Sequence, residues 1–445
     1  MSAPTDAKAA FRRARLKVFG LTWTSYATYY FVRKNLPVAK SAISRDLGIS
    51  ISGLALLDTV HLAVYALGQF VGGWLGDRLG ARRLVGFGML ASAAFCAAFG
   101  SSSTLQFFAL FLGLDGFFEA TGWPGTIKAM SAWYGPKERG RVMGLWSTCF
   151  QVGPLVATAL AAKLMVAYGW RAAFIVPSIV VGAVGMVILQ LLRDKPNPSE
   201  ELELHRLEQE QAGGDAKDVV VPPPADPETV KAARAAVLRN PMVWLLGLSY
   251  FGMKLIRYCI DFWQPYYLER ALGYKGDTAA YMSTALQLGG IVGAIAIGAI
   301  SDKWFPKRRG AVATVATIGL VVALALYTRF SATGLVVNVI ALAFVGFCLF
   351  GPDALISGVA AQDLGGAHAA ATVAGIINGC GSVGAIAQGF LVSEVSKRYG
   401  WEAVFTTLIG LAAISATGLA LVWRLQVREG KRDELAATGA AGAGH

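Results

Sequence analysis

The most unusual residues in this sequence are cations that lie inside apolar stretches. In the segment YYFVRKN, Arg33 and Lys34 fall within the apolar run 16–43. A cation at the centre of a membrane helix costs roughly 2.5–3.5 kcal/mol on insertion scales, so such a residue usually faces a cavity or a partner. Tyr26 and Tyr30 precede Arg33 by seven and three positions, so both phenols share the arginine's face of a helix. The segment predicts a polar cavity.

A second segment, GMKLIRYCIDFW, repeats this pattern later in the chain. Lys254, Arg257 and Asp261 follow i, i+3, i+7 spacing, so one helix face carries two cations and an acid that can bond Arg257 at i+4. If Arg33 and Arg257 face one cavity, they repel each other unless an anion lies between them. A phosphate there can accept bidentate bonds from each guanidinium. The alternative is that each arginine belongs to a structural ion pair, although Arg33 has no acid within a turn of its own helix.

These cations must be positioned by membrane-spanning helices. The chain has 445 residues, 55% hydrophobic and 15% charged, a composition typical of a polytopic membrane protein. We therefore predict an all-α membrane protein with twelve transmembrane helices in two pseudo-symmetric six-helix bundles. The predicted apolar runs are 16–43, 52–75, 84–101, 104–133, 140–167, 171–192, 241–270, 278–300, 309–328, 333–363, 369–396 and 401–424.

An internal repeat relates the two halves. Asp77 and Asp302 are 225 positions apart, Arg33 and Arg257 are 224 apart, and GWRAAF returns as GWEAVF 231 positions later. Parallel repeats of this kind are typical of secondary transporters that expose a midplane site alternately to each side. The predicted boundaries are an N-terminal half, a polar linker and a C-terminal half with its tail, at 1–192, 193–240 and 241–445.

The distribution of cations predicts the orientation in the membrane. The net charge is +12, and the cations cluster after every second apolar run. By the positive-inside rule these loops and both termini are cytoplasmic, which predicts a multi-pass protein of the cell (inner) membrane in contact with the lipid bilayer. The cations are thereby explained without nucleic acid. Five cysteines fall in apolar runs at unrelated spacings, so we expect no metal and no cofactor.

Two loops carry related motifs, GGWLGDRLGARR after the second run and AIGAISDKWFPKRR after the eighth. The Gly-x-x-x-Asp-Arg/Lys pattern resembles the signature loop of the major facilitator superfamily. We predict that Asp77 with Arg78, and Asp302 with Lys303, form a cytoplasmic latch. In one conformation the aspartates would accept hydrogen bonds from neighbouring helix ends or arginines.

Three longer segments, YATYYFVRKN, GWPGTIKAMSAWYGPKERG and YFGMKLIRYCIDFWQPYYLE, resemble the organophosphate:phosphate antiporters over essentially the whole chain. The resemblance implies that Arg33 and Arg257 bind a phosphoryl group and that Tyr26, Tyr30 and Tyr65 line the same pocket. It also implies exchange of a phosphate ester for inorganic phosphate.

The sequence departs from the glycerol-phosphate members of that family. They carry a lysine where this chain has Gln69, a histidine at Phe150, a glutamate at Gln287, and tyrosines at Phe350 and Ser382. The phosphate anchor is retained and the organic end is changed, which argues against glycerol 3-phosphate. The full predicted set for substrate binding is Arg33, Arg257, Tyr26, Tyr30, Tyr65, Lys34, Lys254, Gln69, Asp261, Asn378, Glu119 and Asp353.

The predicted function is therefore secondary transport of a phosphorylated organic anion by alternating access, with no enzymatic step. We expect a monomer whose ligands are phosphate esters and inorganic phosphate. Two alternatives stay open. The first is a proton-coupled organic-anion symporter, because such proteins typically carry carboxylates in their spans, as Glu119 and Asp353 would be. The second is a sugar-phosphate receptor, because some members of the family that this sequence resembles are receptors.

Overall fold

The computed structural model describes residues 4–212, 226–274, 276–306 and 308–442, and this part of the chain is almost entirely helical. Sixteen α-helices and one π-helical segment are present there, and no strand occurs among the described residues. The middle of the predicted linker, 213–225, lies outside the described residues.

Nine helices form the N-terminal half. Their bounds are α1 (Pro4–Arg33), α2 (Asn35–Leu47), α3 (Ile51–Leu79), α4 (Ala81–Gly100), α5 (Leu105–Glu119), α6 (Gly122–Trp133), α7 (Arg139–Trp146), α8 (Cys149–Tyr168) and α9 (Ala172–Leu191). They cover the first six predicted apolar runs, because three of those runs are each divided into two helices. The first run is interrupted at Lys34, between α1 and α2, directly after the buried arginine.

Among the described residues of the polar linker are two short helices, α10 (Pro198–Ala212) and α11 (Pro227–Arg239). The helices of the C-terminal half are α12 (Pro241–Arg270), α13 (Gly276–Trp304), α14 (Arg309–Phe330), α15 (Leu335–Ala354), the π-helical segment (Leu355–Val359) and α16 (Ala360–Gly442). The backbone of α16 leaves helical geometry at Gly366 (φ 52°) and Gly400 (φ 79°). These breaks divide the region from the start of α15 onward into the last three predicted spans.

The surface of this bundle is apolar. By length and composition, seven helical stretches within the described ranges could cross a membrane, and the last of them, Leu335–Gly430, contains the breaks of α16. Large apolar side chains such as Leu155, Val166 and Leu248 are exposed. Such a surface is suited to contact with lipid, because a helix satisfies its backbone hydrogen bonds internally and needs no water on its outer face.

The two halves approach each other most closely where glycines line both surfaces. A Cβ added at Gly140 in α7 would lie 2.4 Å from the carbonyl oxygen of Gly298 in α13. The same close approach joins α3 and α16, where a Cβ on Gly73 would lie 2.9 Å from the Cα of Gly375. Small residues let membrane helices pack this closely. Both contacts lie toward the basic loops, so this structure is closed on that side.

Candidate functional site

The first arginine is held at the end of α1 between aromatic rings and a buried acid. The guanidinium carbon of Arg33 lies 5.0 Å from the ring centroid of Tyr30 and 4.9 Å from that of Tyr65. Its Nε donates to Glu119 Oε1 on α5. The arginine side chain is 20% exposed and the glutamate 0%. The guanidinium therefore faces open space, with its counter-charge behind it.

The second arginine has the same arrangement in the C-terminal half. Arg257 Nη1 donates to Asp353 Oδ2 at 3.1 Å, and its Nε lies 3.6 Å from Asp261 Oδ2. The guanidinium carbon is 5.2 Å from the ring centroid of Phe150 and 4.7 Å from that of Phe350. Aromatic faces attract a guanidinium. Rings and carboxylates together fix its position.

A lysine one turn before Arg257 adds a third cation. Lys254 Nζ donates to Asn378 Oδ1 at 2.8 Å and to Ser382 Oγ at 2.9 Å. It also lies 5.9 Å from the ring centroid of Tyr65, which belongs to the other half. Neutral partners leave its charge available to an anion.

These cations converge on one cavity between the halves. The space between the lining atoms, including its opening to solvent, is about 320 Å³. Its lining residues are Tyr26, Tyr30, Arg33, Tyr65, Trp123, Phe150, Tyr250, Lys254, Arg257, Tyr258, Ser357 and Asn378. The phenols of Tyr30 and Tyr258 lie close enough to the guanidiniums of both arginines to interact with them electrostatically. Residues from both pseudo-equivalent halves therefore meet at one polar site.

Seven residues of the predicted set line this cavity, and five lie elsewhere. Glu119 and Asp353 lie behind the arginines, at 2% and 1% exposure. Gln69 is fully buried where α3 packs on α16. Lys34 lies at the break after α1, 5.5 Å from the Phe262 ring centroid. Asp261 accepts a hydrogen bond from Gln287 Nε2 at 2.7 Å. These five side chains pair or pack beside the cavity, and their part in substrate binding stays a prediction.

Five lining residues were absent from the predicted set. Tyr250 and Tyr258 lie four positions before and after Lys254, so helical spacing alone could have indicated them. Trp123 and Phe150 pack with Tyr26, with ring centroids 5.6 and 5.4 Å from it. The fifth, Ser357, lies in the π-helical segment and accepts a hydrogen bond from Trp123 Nε1 through its carbonyl oxygen at 3.2 Å. No sequence pattern indicates a local π-helix, although such segments often occur at functional sites.

The two signature aspartates contact the opposite half on the closed side. Asp77 accepts hydrogen bonds from the backbone N–H of Thr372 at 2.8 Å and from its hydroxyl at 2.6 Å. Lys128 Nζ lies 2.9 Å from Asp77 Oδ1. Burial lowers the pKa of nearby His368, and the surrounding cations, Lys128 first among them, lower it further. This end of the bundle is rich in positive charge.

Asp302 makes the equivalent contacts at the other signature loop. It accepts from the backbone N–H groups of Gly140 at 2.8 Å and Arg141 at 2.6 Å. Arg309 Nη1 donates to it at 2.8 Å. Helix N-termini carry unsatisfied N–H donors and a positive dipole end, so a carboxylate is stabilised there.

The cations predicted beside these aspartates are placed differently. Arg78 is exposed, with its guanidinium carbon 3.7 Å from the Trp74 ring centroid. Lys303 is also exposed and lies 5.3 Å from the ring centroid of Trp304. Among the described contacts, the charge partners of Asp77 and Asp302 are instead Lys128 and Arg309. Lys128 lies in α6, and Arg309 begins α14 at the end of the same motif as Asp302. The residue directly after each aspartate points in a different direction, since successive helix positions lie on different faces.

Comparison with known proteins shows the family to which this chain belongs. The family model of the Major Facilitator Superfamily matches residues 22–389. The chain is 30% identical to the membrane sensor protein UhpC of Salmonella typhimurium, with 92% of each chain covered. It is 35% identical to sugar phosphate exchanger 3 of Xenopus laevis, covering 79% of this chain and 75% of the relative.

A solved structure agrees with the fold. The human organic anion transporter MFSD10 (TETRAN) superposes with a TM-score of 0.65 over 91% of this chain and 99% of that one, at 16% identity. The predicted fold, an all-α multi-pass membrane protein of transporter type, is confirmed. The chain therefore belongs to the major facilitator superfamily and, within it, to the organophosphate:phosphate antiporter family that its sequence resembles.

Proposed function

We propose that this protein is a secondary transporter that binds a phosphorylated organic anion in the cavity and exchanges it for inorganic phosphate. One observation carries the proposal: Arg33 and Arg257, one from each half, line the same cavity together with Lys254. Exchange is favoured over proton-driven symport because one relative is named a sugar phosphate exchanger.

The chemistry of the lining suits a phosphoryl group. A tetrahedral dianion can accept bonds from two guanidiniums on opposite sides, and planar guanidiniums favour bidentate contacts with phosphate. Lys254 adds a compact charge from a third direction. Tyr26, Tyr30 and their neighbours can donate hydroxyl hydrogens to the remaining oxygens.

The organic part of the substrate would face the aromatic side of the cavity. Trp123, Phe150 and Tyr26 form a packed aromatic group there, with centroids 5.4 to 5.6 Å apart. Aromatic faces pack on the C–H faces of sugars, so a phosphorylated sugar or a similar phosphate ester is the proposed substrate.

Alternating access would follow from the interface between halves. In the present structure Asp77 and Asp302 bond across the halves on the side of the basic loops. We assign those contacts to a latch that closes the cytoplasmic end. By the same charge pattern we place both termini in the cytoplasm and the protein, as a monomer, in the cell inner membrane.

Replacing Arg33 by Lys tests the anion clamp. The charge is kept, but the planar fork is lost, so at least one charge-assisted hydrogen bond worth about 1.5–3 kcal/mol disappears. Phosphate counterflow in proteoliposomes should fall roughly 10- to 100-fold. Arg329→Lys, at the exposed end of α14, is the matched control and should exchange like wild type. Undiminished exchange by Arg33→Lys would refute the clamp.

A sensor is the second candidate, because UhpC is named a membrane sensor protein and is 30% identical over 92% of this chain. A sensor needs the same anion site but no rapid return of the empty carrier. Measuring phosphate binding and counterflow on the same preparation separates the two. Binding without flux would favour the sensor, whereas flux favours the transporter.

A further inference from the structure

Behind Arg33 lies a group of three titratable side chains, two of them buried, that anion binding by the arginines does not itself use. His61 on α3 and Asp115 and Glu119 on α5 each offer a nitrogen or oxygen atom, and these atoms lie within 4.8 Å of one another. Asp115 is 1% exposed and Glu119 2%. We call these three residues the acid cluster.

Two oxygens of the acid cluster lack hydrogen-bond partners. Glu119 Oε1 accepts from Arg33 and Asp115 Oδ1 accepts from Ser92. Glu119 Oε2 and Asp115 Oδ2 are buried and make no hydrogen bond with the described protein atoms. A buried polar atom without a partner costs about 1–3 kcal/mol, and more when charged. A proton on one carboxyl group would convert an unpartnered acceptor into a donor and remove one of the two buried charges.

The ring of His61 is oriented to accept a hydrogen bond from a protonated carboxyl group. His61 Nδ1 lies 3.3 Å from the carbonyl oxygen of Leu112, which favours the tautomer with its proton on Nδ1. Its Nε2 then carries a lone pair and lies 3.5 Å from Glu119 Oε2. A protonated Glu119 could donate to that nitrogen.

The charges around the cavity explain when a proton is needed. Arg33, Lys34, Lys254 and Arg257 supply four positive charges, and four carboxylates offset them when all are ionised and His61 is neutral. A bound dianion would then leave two uncompensated negative charges. The offsetting carboxylates are Asp115, Glu119, Asp261 and Asp353.

We propose that the acid cluster takes up a proton when the anion binds, so that the loaded carrier holds anion and proton together. Phosphate would compete with Glu119 for Arg33, and a buried carboxylate that loses its cation is strongly destabilised as an anion. The proton comes from water and is held on Glu119 or Asp115. This inference rests on the proposed function.

The proton is assigned to this half because Glu119 lies next to a second carboxyl group, that of Asp115, and two neighbouring carboxylates disfavour each other's ionised form. At the other arginine, Asp353 and Asp261 lie 3.1 and 3.6 Å from the guanidinium of Arg257, so each has that cation as a partner. Glu119 has Arg33 as the only lysine or arginine partner within salt-bridge distance among the described residues. The titratable and charged groups facing the cluster are Tyr29, Arg33 and Lys34 around α1, Asp58 and Tyr65 on α3, and Cys96 on α4.

A divalent cation fits the cluster poorly. One oxygen of Glu119 is engaged by the Arg33 guanidinium and one oxygen of Asp115 by Ser92. A metal would lie beside that guanidinium and keep few free ligand atoms, whereas a proton needs only the two unpartnered oxygens.

Calorimetry of inorganic phosphate binding tests the proposal on the full-length protein. Titration at about pH 8.5, where phosphate is already the dianion, in two buffers of different ionisation enthalpy gives the number of protons taken up. We expect about one proton for wild type, with phosphate affinity falling about tenfold per pH unit above that pH. Glu119→Gln imitates the protonated acid, so it should bind phosphate while taking up about one proton fewer.

The controls separate the possible failures. Asp353→Asn, at the equivalent arginine, should retain the proton uptake, and equal loss in both variants would overturn the assignment to the acid cluster. Wild-type binding without proton uptake would refute this inference and leave the proposed function intact. No phosphate binding by wild type would count against the proposed function itself. Should Glu119→Gln fail to fold, the wild-type pH dependence still decides between uptake and none.

Discussion

Removing the charge of Arg257 should weaken both folding and binding, and a second substitution should separate the two effects. Asp353 is 1% exposed, its Oδ2 lies 3.1 Å from Arg257 Nη1, and its Oδ1 has no hydrogen-bond partner within the part of the chain that the structure describes. Removing one partner of a buried ion pair typically costs about 3–5 kcal/mol, because an uncompensated charge remains. Arg257→Gln should lose about that much stability. Adding Asp353→Asn removes the charge and should restore the double variant to within about 1 kcal/mol of wild type.

Phosphate binding should not recover with stability. Arg257 contributes at least one charge-assisted hydrogen bond in the proposed site, worth about 1.5–3 kcal/mol, so the double variant should bind phosphate at least ~10-fold more weakly. Denaturant unfolding in detergent and phosphate titration on the same samples measure the two quantities. Arg329→Gln, on the exposed end of α14, should change stability by no more than about 0.5 kcal/mol.

Two outcomes would refute this reasoning. If the double variant is no more stable than Arg257→Gln, then Asp353 does not depend on the arginine for compensation. If the double variant binds phosphate like wild type, then Arg257 is not a ligand of the anion and its role is structural.

Further predictions concern the closed side of the bundle. Asp302→Asn weakens three charge-assisted hydrogen bonds, each worth about 1.5–3 kcal/mol, so the ratio of closed to open molecules should fall at least tenfold, measurable as longer distances between spin labels on the cytoplasmic ends of the halves. An unchanged distance distribution would contradict the latch. Gly298→Ala places a Cβ 2.2 Å from the Gly140 carbonyl oxygen, so it should hinder closure and slow counterflow while phosphate binding persists. Gly410→Ala, with no atom within 4 Å of the added Cβ, should transport normally.

Much of the fold could be predicted from local patterns. Long apolar runs predict membrane helices because a spanning segment must satisfy its own backbone hydrogen bonds. The offset between repeated motifs predicted two related halves, and the family match over residues 22–389 agrees with that architecture. The helix break at Lys34 and the π-helical segment at Leu355–Val359 were not predicted. The break at Lys34 comes three residues before Pro37, which has no N–H to bond to the Arg33 carbonyl; no local pattern indicates the π-helical segment.

The candidate site, like the fold, could be predicted only in part from local sequence. Helical spacing alone places Tyr26 and Tyr30 on the face of Arg33, and the structure brings all three to one cavity. Spacing could not indicate that Glu119, 86 positions from Arg33, would supply its counter-charge. Because the sequence has no acid within a turn of Arg33, local spacing did not predict the pair between Arg33 and Glu119.

The sequence by itself determined that the chain is an all-helical membrane protein and which residues share a helix face, because these follow from composition and the 3.6-residue period. Only the tertiary structure decided which charges meet. Arg33 with Glu119, Asp77 with Thr372 and Asp302 with the N-terminus of α7 are contacts between separate helices. Their formation depends on how the helices rotate and tilt against one another, and local sequence does not encode that relation.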